Sequence, residues 1–374
     1  MKETRITPRI TRGNFLRVMG AGAVAGSTLS VLACQPNTNA QQSGGNGGGG
    51  GGDAKKLNFY NWSDYVAEST VPGFEKKFDV KVQQDFYSSN EELLAKLQAG
   101  GTGYDVIVPS DYMVSIMRKS DVLMKLEKDK IPNMKNLDPD FKGLSYDPNN
   151  DYSATYQWGT TGILYNPEIV KGEVTGWDVM WDERYEGKIG MLNDVRETFG
   201  ASLKRLGYSL NSTDEAELDE AQDELEKQKP LLRGYFGSPE GGDLVVGGDL
   251  ALAHVFSGDG FSAIAENDKL VYIIPDQGAT RWTDNMAIPN GAPNPDLAHK
   301  FINYILDAEV GAELSNYTYY GCPNEAAFPM IDEAAKNDET IYPPPEVFEK
   351  LEVIEDLGEA TKDYERRFTE VKSA

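Results

Sequence analysis

The order of elements along the chain predicts an α/β protein with doubly wound sheets. Three observations predict it. Residues 57–108 alternate strand, helix, strand, helix, strand; the same style resumes between 162 and 305; and 374 residues are too many for one ordinary core and suit two packed domains. Residues 57–60, Leu-Asn-Phe-Tyr, read as a short strand with an aromatic end, 69–78 as a helix and 80–87 as a second strand. Ser89 and Glu92 have capping-box spacing, in which hydroxyl and carboxylate each satisfy a free N–H at a helix start. Leu93, Leu94 and Leu97 follow, and Gly100 stops the helix. The apolar run at 104–108, between Gly103 and Pro109, suits a buried parallel strand.

Further along, 162–166 and 188–192 read as strands. Residues 212–229 form a very acidic helix with Leu218, Ala221 and Leu225 on one face, ended by Pro230. Strands follow at 249–256 and 270–275. Asn294 and Pro295 suit the cap and first position of a helix burying Leu297, Phe301, Tyr304 and Ile305. No short-period repeat interrupts this order.

The N-terminus has a different character. Arg5, Arg9, Arg12 and Arg17 precede a stretch of small apolar residues at 18–33, so 1–33 reads as an export signal, too short and too rich in Gly and Ala for a transmembrane helix. Residues 11–17 resemble a twin-arginine signal with Gly13 in place of the second arginine, which leaves the twin-arginine and general export routes both open. Val31-Leu32-Ala33-Cys34 resembles a lipobox, which would place a diacylglycerol on the Cys34 thiol; a plain secretory signal followed by a chance cysteine is the alternative. Residues 35–55 carry eight glycines between 44 and 52 and read as a flexible tether to a lipid anchor, whose buried methylenes contribute about 0.8 kcal/mol each. The only other cysteine is Cys322, so a lipidated Cys34 leaves no internal disulfide.

Asp and Glu number 60 against 36 Lys and Arg, a formal net charge of −24. Such a surface repels phosphate backbones, so nucleic acid is not an expected partner. It suits a cationic ligand, although a solvated acidic surface accounts for most of the charge. The two histidines, His254 and His299, have no Cys or Glu at ligand spacing, so no metal site is expected. There is no G-x-S-x-G elbow or phosphate loop. Asp194 and Glu197, three apart at the start of an expected helix, leave three options open: an acid–base pair for a glycosidase, a clamp for an ammonium group, or a helix start whose acids suit the dipole. Trp62, Tyr65, Tyr112, Trp282 and Tyr320 stand at or after strand ends, with Asp64 and Asp284 close by. Strand ends of a doubly wound sheet open into its binding crevice. A ring beside an acid suits an alkyl chain ending in a cation, although each aromatic taken alone is as readily core packing.

Several ordered motifs carry a resemblance over about 56–374. They are Tyr-Asn-Trp-Ser-Asp-Tyr at 60–65, Tyr-Asp-Val-Ile-Val-Pro-Ser at 104–110, Tyr-Gln-Trp-Gly-Thr-Thr-Gly at 156–162, Asp-Val-Arg-Glu-Thr-Phe at 194–199, Asp-Asn-Met-Ala-Ile-Pro at 284–289 and Tyr-Pro-Pro-Pro at 342–345. In these the chain resembles the bacterial spermidine/putrescine-binding proteins. The resemblance implies a type II periplasmic-binding-protein fold: two doubly wound lobes, a hinge and a central ligand cleft. Lobe 1 is expected at 56–158 plus 284–328 and lobe 2 at 159–283 plus 329–374. The implied ligand contacts are Trp62, Ser63, Asp64 and Tyr65; Ser110 and Tyr112; Asp194 and Glu197 from the opposite lobe; Trp282 and Asp284 near the hinge; and Tyr320. Phe256 stands where the family usually carries Trp, and Ile354 where spermidine binders carry Gln. Ser63, Asp64 and Asp259 resemble the putrescine-preferring branch, and Tyr112 and Trp282 the spermidine branch. The implied function is a non-enzymatic, cofactor-free, monomeric receptor, exported and lipid-anchored, that captures putrescine or spermidine for an ABC importer. A binding protein for an oligosaccharide or iron, and a secreted glycosidase using Asp194 and Glu197, are the alternatives.

Overall fold

A computed structural model describes residues 55–100 and 103–374; the expected signal at 1–33, Cys34 and nearly all of the tether lie outside the described residues. β1 (Lys55–Trp62) and β2 (Val80–Tyr87) pair in parallel, joined by α1 (Thr70–Phe78). The period of two sorts β1 between two cores: Leu57 and Phe59 pack with Phe74 and Phe301, while Tyr60 packs with Tyr87, Leu93 and Met113. At α2 (Asn90–Gln98) the Ser89 hydroxyl accepts Glu92 N–H at 3.2 Å. The return arm of the capping box is displaced by one residue, because the Glu92 carboxylate accepts the N–H of Ser88, at 3.0 Å, in place of that of Ser89. β3 (Val106–Ile107) is parallel to β1 and leads into α3 (Asp111–Lys119).

β4 (Ser153–Tyr165) is buried at every position. Its first nine residues escaped the sequence reading because both faces are covered, which erases the alternation that marks a half-buried strand. β5 (Ile189–Leu192), α4 (Val195–Leu206), α5 (Glu215–Gln228), β6 (Leu232–Phe236), α6 (Ser238–Val246), β7 (Leu252–Phe256), α7 (Ser257–Glu266) and β8 (Val271–Ile273) follow. Then come β9 (Arg281–Ala287), α8 (Pro295–Ile305), α9 (Ala308–Thr318), α10 (Glu333–Lys336), α11 (Pro345–Phe348) and α12 (Ala360–Ser373). Pro295 opens α8 as expected, but the Asn294 side chain does not cap it; its amide donates to the Lys56 carbonyl at 3.0 Å.

Among the described residues the strands form one sheet in the order β2-β1-β3-β9-β4-β7-β5-β6, with β8 on β4. The antiparallel strands β4 and β9 sit between two parallel groups, β1–β3 and β5–β7. The first part of β4 pairs with β9 and its last five residues with β7. The buried side chains follow this division, in two apolar clusters around β1, β3 and β9 and further clusters around β5, β7 and α4. Both histidines are buried structural groups. His299 Nε2 accepts the N–H of Glu127 at 2.9 Å, and His254 stands edge-on to Trp177 with its pKa lowered to about 3 by burial.

Candidate functional site

The carboxyl ends of all six parallel strands converge on one cavity of about 130 Å³. Trp62, Ser63 and Tyr65 follow β1; Tyr87, Ser88 and Asn90 end or follow β2; and Ser110 and Tyr112 follow β3. Asp194 follows β5, Gly237–Pro239 follow β6, and Phe256 and Asp259 end or follow β7. This is the crevice position of a doubly wound sheet. β9 contributes Trp282 and Asp284 from within the sheet, and Tyr320 and Ile354 complete the wall.

Seven aromatic rings line the cavity. Tyr320 meets Tyr65 and Trp282 edge-on at 5.1 Å, Phe256 meets Trp282 at 5.6 Å, and Trp62 leans on Tyr87 at 4.7 Å. Such a box offers faces for methylene groups and π density for a cation. The Trp62 indole N–H is tied to the Val108 carbonyl at 3.0 Å, which fixes its plane. The Trp282 indole N–H is buried without a hydrogen-bond partner among the described residues, and the Tyr65 hydroxyl is buried beside the Asp284 carboxylate.

Three carboxylates share this wall, and no Lys, Arg or His does. Asp284 is buried in β9, and the Ser110 hydroxyl donates to it at 2.6 Å. Asn90 holds Ser110 in turn, its amide donating to the same hydroxyl at 3.0 Å and its carbonyl accepting Ser110 N–H at 3.0 Å. Burial raises the Asp284 pKa to about 7, against the opposing pull of the hydrogen bond from Ser110. Asp111, buried behind it, is likewise raised to about 7 by burial. The Tyr320 hydroxyl donates to Asp259 at 3.2 Å. At the other end Asp194 caps α4, accepting the N–H groups of Arg196 and Glu197 at 2.9 and 3.0 Å; burial still raises its pKa. Glu91 on α2 accepts the Tyr112 hydroxyl at 3.0 Å, and burial followed by the nearby Asp194 carboxylate lifts it to about 7.

Of the residues expected to meet ligand, the structure brings Trp62, Ser63, Tyr65, Ser110, Tyr112, Asp194, Phe256, Asp259, Trp282, Asp284 and Tyr320 to the cavity wall. Two are corrected. Asp64 sits in a left-handed turn (φ 54°) on the exposed surface after β1. Asp194 is an extended N-cap (φ −132°, ψ 127°) that accepts the Glu197 N–H, and Glu197 is not among the residues lining the cavity. Glu197, three residues on, is buried against the hydroxyls of Thr161 and Thr280, which donate to it at 3.1 and 2.8 Å, and burial then the Asp194 charge raise its pKa to about 8. Of the two acids, only Asp194 reaches the cavity wall. Tyr87, Ser88, Asn90 and Gly237–Pro239 were missed; the strand-end rule would have found the first three, which end or follow the strand read at 80–87, but not Gly237–Pro239, which follow β6, a strand the sequence reading did not contain.

Comparison with known proteins places this geometry. A family model described as bacterial extracellular solute-binding protein matches residues 71–343. The spermidine/putrescine-binding periplasmic protein of Escherichia coli (strain K12) is 36% identical over 323 residues, covering 86% of this chain and 92% of that protein. Among solved structures, a spermidine/putrescine ABC transporter protein from Listeria monocytogenes superposes with a TM-score of 0.82 at 38% identity, over 85% of this chain and 99% of that one. The TpPotD lipoprotein of Treponema pallidum superposes with a TM-score of 0.75 at 30% identity, over 85% and 99%.

Proposed function

The chain belongs to the spermidine/putrescine-binding group of bacterial extracellular solute-binding proteins, non-enzymatic and of mixed α/β periplasmic-binding fold, and from that premise we propose that it captures a linear polyamine and hands it to an ABC importer. One observation carries the ligand assignment: seven aromatic rings and three carboxylates line the cavity with no basic side chain among them. An ammonium group is the counter-ion this wall lacks, and the rings cover the methylenes that join two such groups. A sugar site would mix in arginines, and an iron site would set its tyrosines around a bound anion, which calls for a basic side chain that this wall does not carry.

In this proposal Asp284 holds one ammonium. It lies within β9, opposite Gln157 of β4, so its carboxylate is positioned before ligand arrives. Asp194 and Asp259 take the remaining positive charge, and Trp62, Tyr65, Phe256, Trp282 and Tyr320 form the walls. Asp64 and Glu197 lie outside this contact set. The lobe division proposed is 56–158 plus 284–328 against 159–283 plus 329–374. It is supported by the β4–β9 ladder, where the breaks at 158/159 and 283/284 fall within one residue of each other: Gln157 pairs with Asp284 and Gly159 with Trp282. Ligand closes the lobes by binding the closed state better. Export, lipidation at Cys34 and a glycine tether keep the monomeric receptor near its permease at the membrane; the lipoprotein relative supports that arrangement.

In this reading putrescine is the preferred ligand, because Ile354, a buried apolar side chain of the cavity wall, offers no acceptor to a third amine. Calorimetric titration with putrescine, cadaverine, spermidine and spermine tests both levels. Spermidine binding about tenfold tighter than putrescine, about 1.4 kcal/mol, reverses the preference, and binding of none of the four overturns the function.

A further inference from the structure

Residues 352–356, of which Ile354 lines the cavity, form a short strap whose two sides are bound differently. Its backbone hydrogen bonds among the described residues run to one side. Glu352 N–H donates to the Ala279 carbonyl at 3.1 Å and its carbonyl accepts Arg281 N–H at 2.8 Å. The Asn211 amide donates to the Val353 carbonyl and its carbonyl accepts Glu355 N–H, at 2.8 and 2.9 Å, and Arg196 donates to the Glu355 carbonyl at 2.9 Å. Lys204 and Ser209 both reach the Glu352 carboxylate at 2.5 Å. These partners all fall in the lobe proposed at 159–283.

Toward α3, on the other side, the strap offers side chains. Ile354 and, from the loop beneath it, Leu210 are buried in the cluster of Tyr112, Met113 and Met117. The Asp356 carboxylate meets Lys119 at 2.6 Å, and Gly358 N–H donates to the same carboxylate at 2.9 Å. Lys119 ends α3, where the helix dipole favours a cation. Neither Lys119 nor Asp356 lines the cavity. Opening the lobes therefore costs this edge one small apolar contact and one ion pair, and leaves the strap's backbone bonds intact.

We propose that the strap is a latch between the lobes and that the Lys119–Asp356 pair, without touching ligand, sets how fast ligand leaves. The inference rests on the two-lobe reading above. Because the pair forms only on closure, it acts on the closed state and hence on dissociation more than on encounter. Lys119 is 69% exposed and Asp356 10%, so the effect is modest and screened by salt.

A charge swap tests it. Lys119→Glu and Asp356→Lys are made singly and together, and putrescine association and dissociation are followed by stopped flow. Each single reversal speeds release by about three- to tenfold at low salt, with association changed by less than about twofold, and the double variant returns toward the parent. The differences shrink in about 0.5 M salt. Distances between spin labels on the two lobes, measured without ligand, widen in the single variants and recover in the double. Asp356→Asn replaces any reversal that lowers the melting temperature. Release rates and label distances unchanged in folded single variants, or no recovery in the double, overturn the latch. Failure of the parent to bind putrescine counts against the polyamine reading alone, because the label distances still decide the latch.

Discussion

Replacing Asp284 by Asn should cost this receptor most of its affinity while leaving the fold intact. The side chain is 5% exposed, accepts the Ser110 hydroxyl at 2.6 Å, and has no basic residue beside it in the cavity wall. The substitution keeps shape and lets Ser110 donate to the amide oxygen, but leaves the incoming ammonium without its counter-ion. At an effective dielectric near 20 an ion pair at about 4 Å gains about 4 kcal/mol before desolvation, and removing one partner of a buried pair costs roughly 2–5 kcal/mol. One correction runs the other way. With its pKa raised to about 7 by burial, the empty carboxyl is partly protonated at neutral pH, so ionising it takes a small part of the parent's binding energy. The net loss remains about thirtyfold to several-thousandfold. Isothermal titration with putrescine reads it, with circular dichroism and melting temperature as controls. The variant should melt no lower than the parent, since a buried acid with a raised pKa does not stabilise the fold above that pKa. Putrescine affinity within about threefold of the parent would refute the reasoning.

Other predictions follow from the same wall. Asp284, Asp111 and Glu91 near 7 and Glu197 near 8 stand above their unfolded values of about 4, so the folded chain holds extra protons between about pH 4 and 8. Ligand-free stability should therefore fall as pH rises from 5 to 8, while polyamine affinity rises over the same range as the carboxyls ionise; scanning calorimetry and titration at each pH check the opposed trends, and parallel trends would contradict them. Glu197→Gln should change putrescine affinity by less than about threefold, because Glu197 is buried against Thr161 and Thr280, whereas Asp194→Asn should weaken it by at least about tenfold; equal losses would return Glu197 to the contact set. Mass spectrometry of the native membrane fraction should find a diacylglyceryl group on Cys34, and a freely soluble, unmodified N-terminus would remove the anchor.

What the sequence made legible was local chemistry. Ser89 before Asn90-Glu91-Glu92 and Pro295 after Asn294 fix helix starts through groups a few residues apart, and the structure places both helices there. Trp62 and Asp284 were readable as cavity residues because each stands in a motif that the resemblance carries, and Trp282 because it is an aromatic beside an acid. Where spacing was read through an idealised helix it misled. Asp194 and Glu197 differ by three positions, but Asp194 is a non-helical cap, so one turns to the cavity and the other into the core. β4 was shortened because burial on both faces leaves no period to detect, and α3 was not read at all, its first turn of Asp111 and Tyr112 looking polar while both are buried. Glu91 was invisible for a further reason: its neighbour Asp194 lies over a hundred positions away, brought near only by the fold.

The central claim is that two fixed positive charges, not chain length or apolar area, are what the cavity recognises. Isothermal titration with putrescine and with butane-1,4-diol, equal in chain length and hydrogen-bonding ends but uncharged, isolates that claim. Putrescine should bind at least about a thousandfold tighter than the diol, since each lost charge pair costs about 2 kcal/mol or more. A diol that binds as tightly as the diamine would contradict the account.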